Sequence, residues 1–220
     1  MTHLEKQLDL ISTKVNEMWD LVEFQVKSAR QLLQEPDKAL AKKTIKVGRK
    51  VNNCDLKIDV LCKNFLALFN PVAIDLRWVL AVLKINANLE RIGDSAEGIA
   101  FLIKDLKGPL DPALLEASRV EEMFDGVLEM LAEVREAYRG GNTQLAMALI
   151  AKDELLNKIN AKADKVMERH IQTNPDQVRQ CLKLSGIIRK LERIGDQITN
   201  IAEEVVFYVE GTVIKHQEKE

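Results

Sequence analysis

The hexapeptide Leu-Glu-Arg-Ile-Gly-Asp occurs twice in this chain of 220 residues, at 89–94 and again at 191–196. The residues on both sides of each copy have the apolar spacing of a helix, so each copy is predicted to lie inside one. A glycine there costs roughly 1 kcal/mol relative to alanine, and a Glu and an Asp four residues apart place two like charges on one face. The same unfavourable residues occur twice, which indicates an internal duplication. Their role is therefore expected to be something other than helix stability.

Prolines and glycines divide the chain into six predicted segments. Asn70, Asp111 and Asn174 each precede a proline, which is the order typical of a helix N-terminus. At the glycine pair 140–141 one helix is predicted to end, and Asn142 is predicted to cap the next. Each joint is short, so consecutive segments are expected to be neighbours in space.

Between the joints, apolar residues recur every three or four positions, as a helix with one buried face requires. Aromatic residues make up 5% of the chain, and no stretch shows the alternation of a strand, so a sheet is not indicated. Segments of about 30 residues predict helices about 45 Å long. The sequence therefore predicts an all-α fold of six long helices that pack as antiparallel neighbours.

The duplication arranges these six helices in two halves. Placing Glu90 on Glu192 aligns the third segment with the sixth and leaves three helices in each half. We predict two tandem three-helix bundles related by internal pseudo-symmetry, the first over residues 1–108 and the second over 112–220. Their boundary is expected within 106–113, where the chain reads Leu-Lys-Gly-Pro-Leu-Asp-Pro-Ala.

Composition excludes several classes of protein. The formal net charge is −2 with interleaved signs, so the chain lacks the basic field that attracts nucleic acid. The N-terminal residues are not those of a secretory signal, and no run approaches the roughly 18 apolar residues of a membrane span. A cytoplasmic protein is expected. Cys54, Cys62 and Cys181 show no metal-binding or disulfide spacing and are expected to be reduced thiols in or near the core.

Helical geometry places acidic residues of each hexamer on the side opposite its apolar residues. We call these two rows of side chains the acidic stripes: Glu90, Asp94 and Glu97 in the first half, and Glu192, Asp196, Asn200 and Glu203 in the second. Carboxylates clustered without lysine are what a hard or borderline cation needs, and Gly93 and Gly195 would let a neighbouring backbone or an ion come close. The same spacing is also typical of an ordinary solvated helix face.

The second helix of each half is the expected source of further ligands. In the second half it supplies Asp153 and Asn157, which are four residues apart and so lie on one side of a helix. In the first half Gly48 stands in the place of Asp153, and Asn52 remains. The two halves are therefore predicted to differ in the number of oxygen ligands they offer.

These features resemble the PhoU family of phosphate-signalling proteins. The resemblance rests on the duplicated hexamer, on the helical continuations Ser-Ala-Glu-Gly-Ile-Ala and Gln-Ile-Thr-Asn-Ile-Ala-Glu-Glu, and on Asn-Pro-Val-Ala-Ile-Asp-Leu-Arg-Trp-Val at 70–79, and it covers nearly the whole chain. It implies two three-helix bundles in the cytoplasm, with iron or zinc clusters held on their surface by paired E/D-x-x-x-D/N motifs. The positions that match those motifs are Glu90, Asp94, Asp153, Asn157, Glu192, Asp196 and Asn200.

The resemblance also implies a role. Members of the family act as negative regulators of phosphate uptake and of the phosphate-starvation response, and they couple the phosphate-specific ABC transporter to a sensor histidine kinase. A homodimer is expected, with membrane contact only through partners. Because Gly48 and Gly98 depart from the motif, the second bundle is expected to bind metal more tightly than the first. No cluster of lysine or arginine marks a helix N-terminus, so phosphate recognition is expected to come through a partner.

Two other classes of function remain as alternatives. A carboxylate di-metal enzyme would need a Glu-x-x-His motif from two helices inside the core, but His3, His170 and His216 do not follow stripe residues by three positions. No phosphate loop, Ser/His/Asp set or reactive cysteine context is found, so an enzyme is not predicted. A metal-free helical adaptor stays open. The large aromatic side chains Trp19 and Trp78 are expected in the core rather than at a partner surface.

Overall fold

Helices account for almost all of the residues that the computed structural model describes, 2–106 and 108–214, and no strand occurs among them. The all-α prediction is confirmed. The predicted end of the second bundle, including His216, lies outside the described residues.

The first half contains α1 (His3–Gln34), α2 (Lys38–Phe69) and α3 (Ala73–Lys104). The second contains α4 (Pro112–Ser118), α5 (Val120–Gly140), α6 (Thr143–Lys152), α7 (Glu154–Thr173), a 3-10 turn (Pro175–Gln177) and α8 (Val178–Glu210).

Two of the six predicted helices, those of the fourth and fifth segments, are each divided in two. Arg119 separates α4 from α5 because its φ is 55°, in the left-handed region that ends a helix. Asp153 separates α6 from α7 but keeps φ −61° and ψ −24°, and the amide of Asn157 still donates to its carbonyl at 3.1 Å. The second interruption is therefore local, and it falls at a predicted ligand position.

The predicted caps agree with the structure at two joints and fail at two others. The Asp111 side chain accepts from the amides of the first turn of α4, and the Asn142 side chain accepts from Leu145 N at 3.0 Å. Asn70 instead ends α2 with φ 44°, because a residue before proline avoids the α region and asparagine tolerates the left-handed one. Asn174 precedes the 3-10 turn, and its side chain donates backward to the carbonyl of His170.

The apolar faces of the helices meet in one continuous core. Helices α1, α2 and α3 pack against one another, α8 packs against α5, α6 and α7, and α3 packs on α8 along the middle of the molecule. The predicted core faces of the two central helices are confirmed as buried: Ile92, Ala96, Ile99 and Ile103 in α3, and Ile194, Ile198, Ile201 and Val205 in α8. Trp19 is fully buried and Trp78 is partly buried against the core. The residue limits proposed for the two bundles stay a prediction.

Helices α3 and α8 are antiparallel. Arg77 Nε donates to the carbonyl of Tyr208 at 3.3 Å near one end of the pair, and Arg179 donates to Asp105 Oδ2 at 3.0 Å near the other. Between these ends, the hexamers of α3 and α8 lie at the same level. The internal symmetry thus places the two copies of the repeated motif side by side at the centre of the fold.

Two sequence predictions concern the cysteines and the hydrophobicity of the helices. All three cysteines are free and buried, as expected. Among the described helices, none combines the length and the apolar composition that crossing a bilayer requires.

Candidate functional site

The acidic stripe of the second half is joined by a carboxylate from outside its own helix. Asp153, at the junction of α6 and α7, is 7% exposed and lies against Gly195 of α8. Its Oδ2 atom accepts from Asn157 Nδ2 at 2.8 Å. Its Oδ1 atom is buried without a hydrogen-bond partner among the described residues, which is costly for a polar atom unless something else satisfies it.

The glycine of the hexamer makes this approach possible. A Cβ atom at Gly195 would overlap Asp153 Oδ1 and would lie 2.6 Å from Leu156 Cδ1. In the first half a Cβ atom at Gly93 would lie 3.0 Å from Gln25 Oε1. Close approach was expected from a backbone or an ion, but side chains occupy the space in both halves. The glycines therefore allow side chains to pack closely against the helix backbone. At Gly195, one of these side chains is the carboxylate of Asp153.

Burial and mutual repulsion oppose ionisation of the second-half carboxyl groups. Burial raises the pKa of Asp153 from 3.8 to about 6, with the negative charges of Asp196 and Glu192 adding to it and the hydrogen bond from Asn157 opposing it. Burial, followed by the charge of Asp196, also raises the pKa of Glu192. The pKa of Asp196 is raised by burial against the opposing charge of Arg193. A cation placed among these groups would favour their ionised forms.

The first half contains a corresponding cluster with one member that sequence reasoning missed. Asp55 of α2 accepts from Asn86 Nδ2 of α3 at 2.7 Å, and Asn86 Oδ1 is itself buried without a partner in the described chain. The pKa of Glu90 is raised first by burial and then by the charges of Asp94 and Asp55. The signal was present in the sequence, because Asp55 follows Asn52 by three positions and therefore shares its side of α2.

The space left by Gly48 in the first half is filled by another carboxylate. A Cβ atom at Gly48 would overlap Glu97 Oε2. Burial and the charge of Asp94 raise the pKa of Glu97, while Arg49 opposes them. The carboxylate that α6 and α7 supply in the second half is thus supplied by α3 in the first. The expected loss of oxygen atoms at this position is smaller than the sequence alone indicates.

Asn200 is the remaining predicted ligand. Asn200 is half-buried one turn beyond Asp196, and no hydrogen bond joins its side chain to another described residue. His170 lies in the last turn of α7, where its Nε2 and Gln177 Oε1 are 2.8 Å apart. Within residues 2–106 and 108–214, no three His, Cys, Asp or Glu side chains already lie close enough to enclose a metal ion. Both clusters consist of carboxylate and amide oxygens.

Comparison with known protein families gives two matches along this chain. The family model described as the PhoU domain matches residues 15–103 and residues 120–205. The two matched regions contain the two hexamers in corresponding places. The duplication seen in the sequence is therefore a duplication of one family domain.

Relatives of known name cover almost the whole chain. A Borreliella burgdorferi protein named phosphate-specific transport system accessory protein PhoU homolog is 31% identical over 211 residues, 93% of each chain. A Pseudomonas putida protein of the same name is 30% identical over 212 residues, 96% of this chain and 82% of that one.

Solved structures show the same fold. PhoU from Pseudomonas aeruginosa superposes with a TM-score of 0.90 at 28% identity, covering 96% of this chain and all of that one. The phosphate transport system regulatory protein PhoU from Streptococcus pneumoniae gives a TM-score of 0.84 at 26% identity, with 97% of this chain covered.

Proposed function

Because the chain belongs to the PhoU family, we propose that it is a cytoplasmic regulator that restrains phosphate uptake and the phosphate-starvation response. In this role it couples a phosphate-specific ABC transporter to a sensor histidine kinase. The observation that carries the proposal is the presence of the family domain in both halves, over 15–103 and 120–205, in a chain similar along nearly its full length to proteins named as accessory to phosphate transport. The protein acts as an accessory factor rather than as an enzyme.

A test in cells measures both parts of this role. Deletion of the gene is expected to raise phosphate uptake and to switch on a phosphate-starvation reporter in phosphate-rich medium, and the wild-type gene on a plasmid restores both. Deletion of the sensor kinase as well is expected to silence the reporter. A deletion strain whose uptake and reporter activity equal those of the parent would overturn the proposal.

We further propose that the two carboxylate clusters bind metal, with iron favoured over zinc. Three observations in the second half support a fit: the unsatisfied Asp153 Oδ1 atom, its position where α8 has only a glycine, and the nearby charges of Glu192 and Asp196. The donors are all oxygen atoms, whereas structural zinc sites mainly use sulfur and nitrogen. A bound cation would neutralise the repulsion and link the α6–α7 junction to α8.

Elemental analysis of purified protein tests the metal proposal. The double variant Glu192→Ala, Asp196→Ala is expected to lose more iron or zinc than Glu90→Ala, Asp94→Ala, because the first half has Gly98 where the second half has the side-chain oxygen of Asn200. The exposed pair Glu168→Ala, Asp176→Ala removes the same charge elsewhere and should keep the wild-type metal content. Equal loss from both cluster variants would contradict the expected difference between the halves.

The alternative of a metal-free adaptor gives a different pattern. A wild-type protein that carries no metal, yet still restores regulation and co-purifies with the transporter, would make the acidic stripes a protein-docking face. The same preparation tests the expected homodimer by light scattering.

A further inference from the structure

A cleft of about 670 Å³ opens between α3 and α8, beside the two hexamers. Its walls include three cationic side chains, Arg91 from the first hexamer, Arg193 from the second and Lys190, which immediately precedes the second hexamer. The cleft volume falls within the range of small-molecule sites, about 300–1,000 Å³. The arginines of the two hexamers thus line one cleft, and metal binding by the acidic stripes does not account for this position.

Among the described residues, no ion pair neutralises these three cations. Within the described part of the chain, neither arginine nor Lys190 lies within salt-bridge distance of a carboxylate, whereas surface arginines such as Arg30 and Arg135 each contact two acidic side chains. Arg91 and Arg193 only lower the pKa of the neighbouring carboxyl groups at longer range. Lys190 extends over Gly98, where its Nζ atom lies 2.5 Å from the position a Cβ atom would take.

Hydrogen-bond acceptors also line the same cleft. Asp94, Glu97 and Gln197 also line it, and Gln197 Oε1 is buried without a donor among the described residues. An ionised carboxylate only accepts hydrogen bonds, so it repels an anion that has no proton to give. Hydrogenphosphate has a P–OH group that donates to such an acceptor, while sulfate at neutral pH has none.

We propose that this cleft binds inorganic phosphate through Arg91, Arg193 and Lys190, with an acceptor of the same cleft receiving the hydrogen bond that the P–OH group donates. Guanidinium groups match the oxygen geometry of phosphate, and lysine adds a point charge. A phosphate monoester such as AMP is mostly a dianion without a P–OH group at neutral pH, because its second pKa is about 6, so it gives these acceptors no hydrogen-bond donor. The sequence pointed to recognition through a partner, since no basic cluster marks a helix N-terminus; the basic cluster is instead assembled from the middles of two helices.

Isothermal titration calorimetry on the full chain, with chelator present, tests this site. Inorganic phosphate, AMP and sulfate are each titrated at equal ionic strength. Saturable binding of inorganic phosphate is expected, with AMP and sulfate each roughly tenfold weaker or more, because neither has a P–OH group at neutral pH. No saturable binding of phosphate, or binding of AMP or sulfate as tight as that of phosphate, would overturn the proposal.

Matched variants locate the binding. Arg91→Ala with Arg193→Ala is expected to weaken binding by roughly tenfold or more, since it removes two charge-assisted contacts. Arg139→Ala with Arg169→Ala removes the same charge from exposed positions outside the cleft and should bind as the wild type does. Asp94 is exposed, so Asp94→Asn leaves the core intact and is expected to bring sulfate affinity closer to that of phosphate. Unchanged binding in the double arginine variant would refute the assignment.

This titration tests the cleft independently of the proposed regulatory role. Only the physiological meaning of phosphate binding rests on that role. Binding is measured without transporter, kinase or metal. A protein that regulates uptake in cells but does not bind phosphate refutes the cleft proposal alone, whereas a protein that binds phosphate but leaves uptake unchanged refutes the regulatory role alone.

Discussion

Replacing Asp153 by asparagine should make the metal-free protein more stable, which is unusual for a buried residue with a hydrogen-bond partner. The Oδ1 atom of an asparagine at this position keeps an acceptor for Asn157 Nδ2, which now donates to Asp153 at 2.8 Å. The substitution removes the buried charge and its repulsion from Glu192 and Asp196, which raise the pKa of Asp153 together with burial. The expected gain therefore comes from electrostatics rather than from packing.

The size of the gain follows from the pKa. Folding raises the pKa of Asp153 from 3.8 to about 6, so between these values the folded state binds more protons than the unfolded state. The free energy of unfolding of the wild type therefore falls as pH rises through this window, by about 3 kcal/mol in total at about 1.4 kcal/mol per pKa unit. The Asp153→Asn variant has no carboxyl group at this position, so its free energy of unfolding does not fall in this way. Its stability advantage over the wild type is complete above about pH 6 and shrinks towards zero near pH 4.

Urea denaturation followed by circular dichroism measures the effect, with chelator present, at several pH values between about 4 and 8. Asp9→Asn, an exposed aspartate in α1, serves as the control and should differ little from the wild type at every pH. Added Fe²⁺ or Zn²⁺ is expected to raise the stability of the wild type and to have little effect on Asp153→Asn, since the cation would bind the ionised carboxylate.

Two results would refute this reasoning. A variant less stable than the wild type at about pH 8 would mean that the Asp153 carboxylate is stabilised where it lies, and a stability difference independent of pH would mean that its ionisation is not involved. Equal stabilisation of both proteins by metal would remove Asp153 from the ligand set without touching the electrostatic argument.

Two further predictions follow from contacts in the core. Gly195→Ala should lower the free energy of unfolding by about 1–3 kcal/mol, because its Cβ atom would overlap Asp153 Oδ1. Gly126→Ala, whose Cβ atom would have only one contact, at 3.6 Å, should instead add about 0.5–1 kcal/mol through helix propensity; thermal denaturation of both variants checks the contrast. Burial raises the pKa of the Cys62 thiol to about 12 and raises the pKa of the other two thiols as well. None of the three should therefore react with a thiol reagent until the protein unfolds, and fast labelling of the native protein would contradict this.

Much of the local structure could be predicted because it depends on neighbours in sequence. The three- and four-residue spacing of apolar side chains predicted the buried faces of α3 and α8, and Asp111 and Asn142 predicted the starts of α4 and α6. The sequence pattern predicts Asn70 on the wrong side of its joint, because asparagine serves both as a helix N-cap and as a left-handed C-cap. The choice between these roles depends on how the chain turns from α2 to α3.

The candidate sites could be predicted only in part because each needs residues from more than one helix. The acidic stripe residues of one helix were visible from its own periodicity, whereas the approach of Asp55 to Glu90 depends on how α2 packs on α3. Burial of Asp153 depends on the gap that Gly195 leaves in α8. The pKa values of these carboxyl groups follow from that packing and could not be read from spacing.

By itself, the sequence determined that this chain is all-α, that it contains a duplication, and that each copy presents carboxylates opposite an apolar face, since helix periodicity and punctuation are local properties. The tertiary structure decided that α3 and α8 lie antiparallel at the centre, which brings Arg91 and Arg193 to one cleft. These two arginines lie about one hundred residues apart in the chain, and only the burial of apolar faces between the halves brings them together.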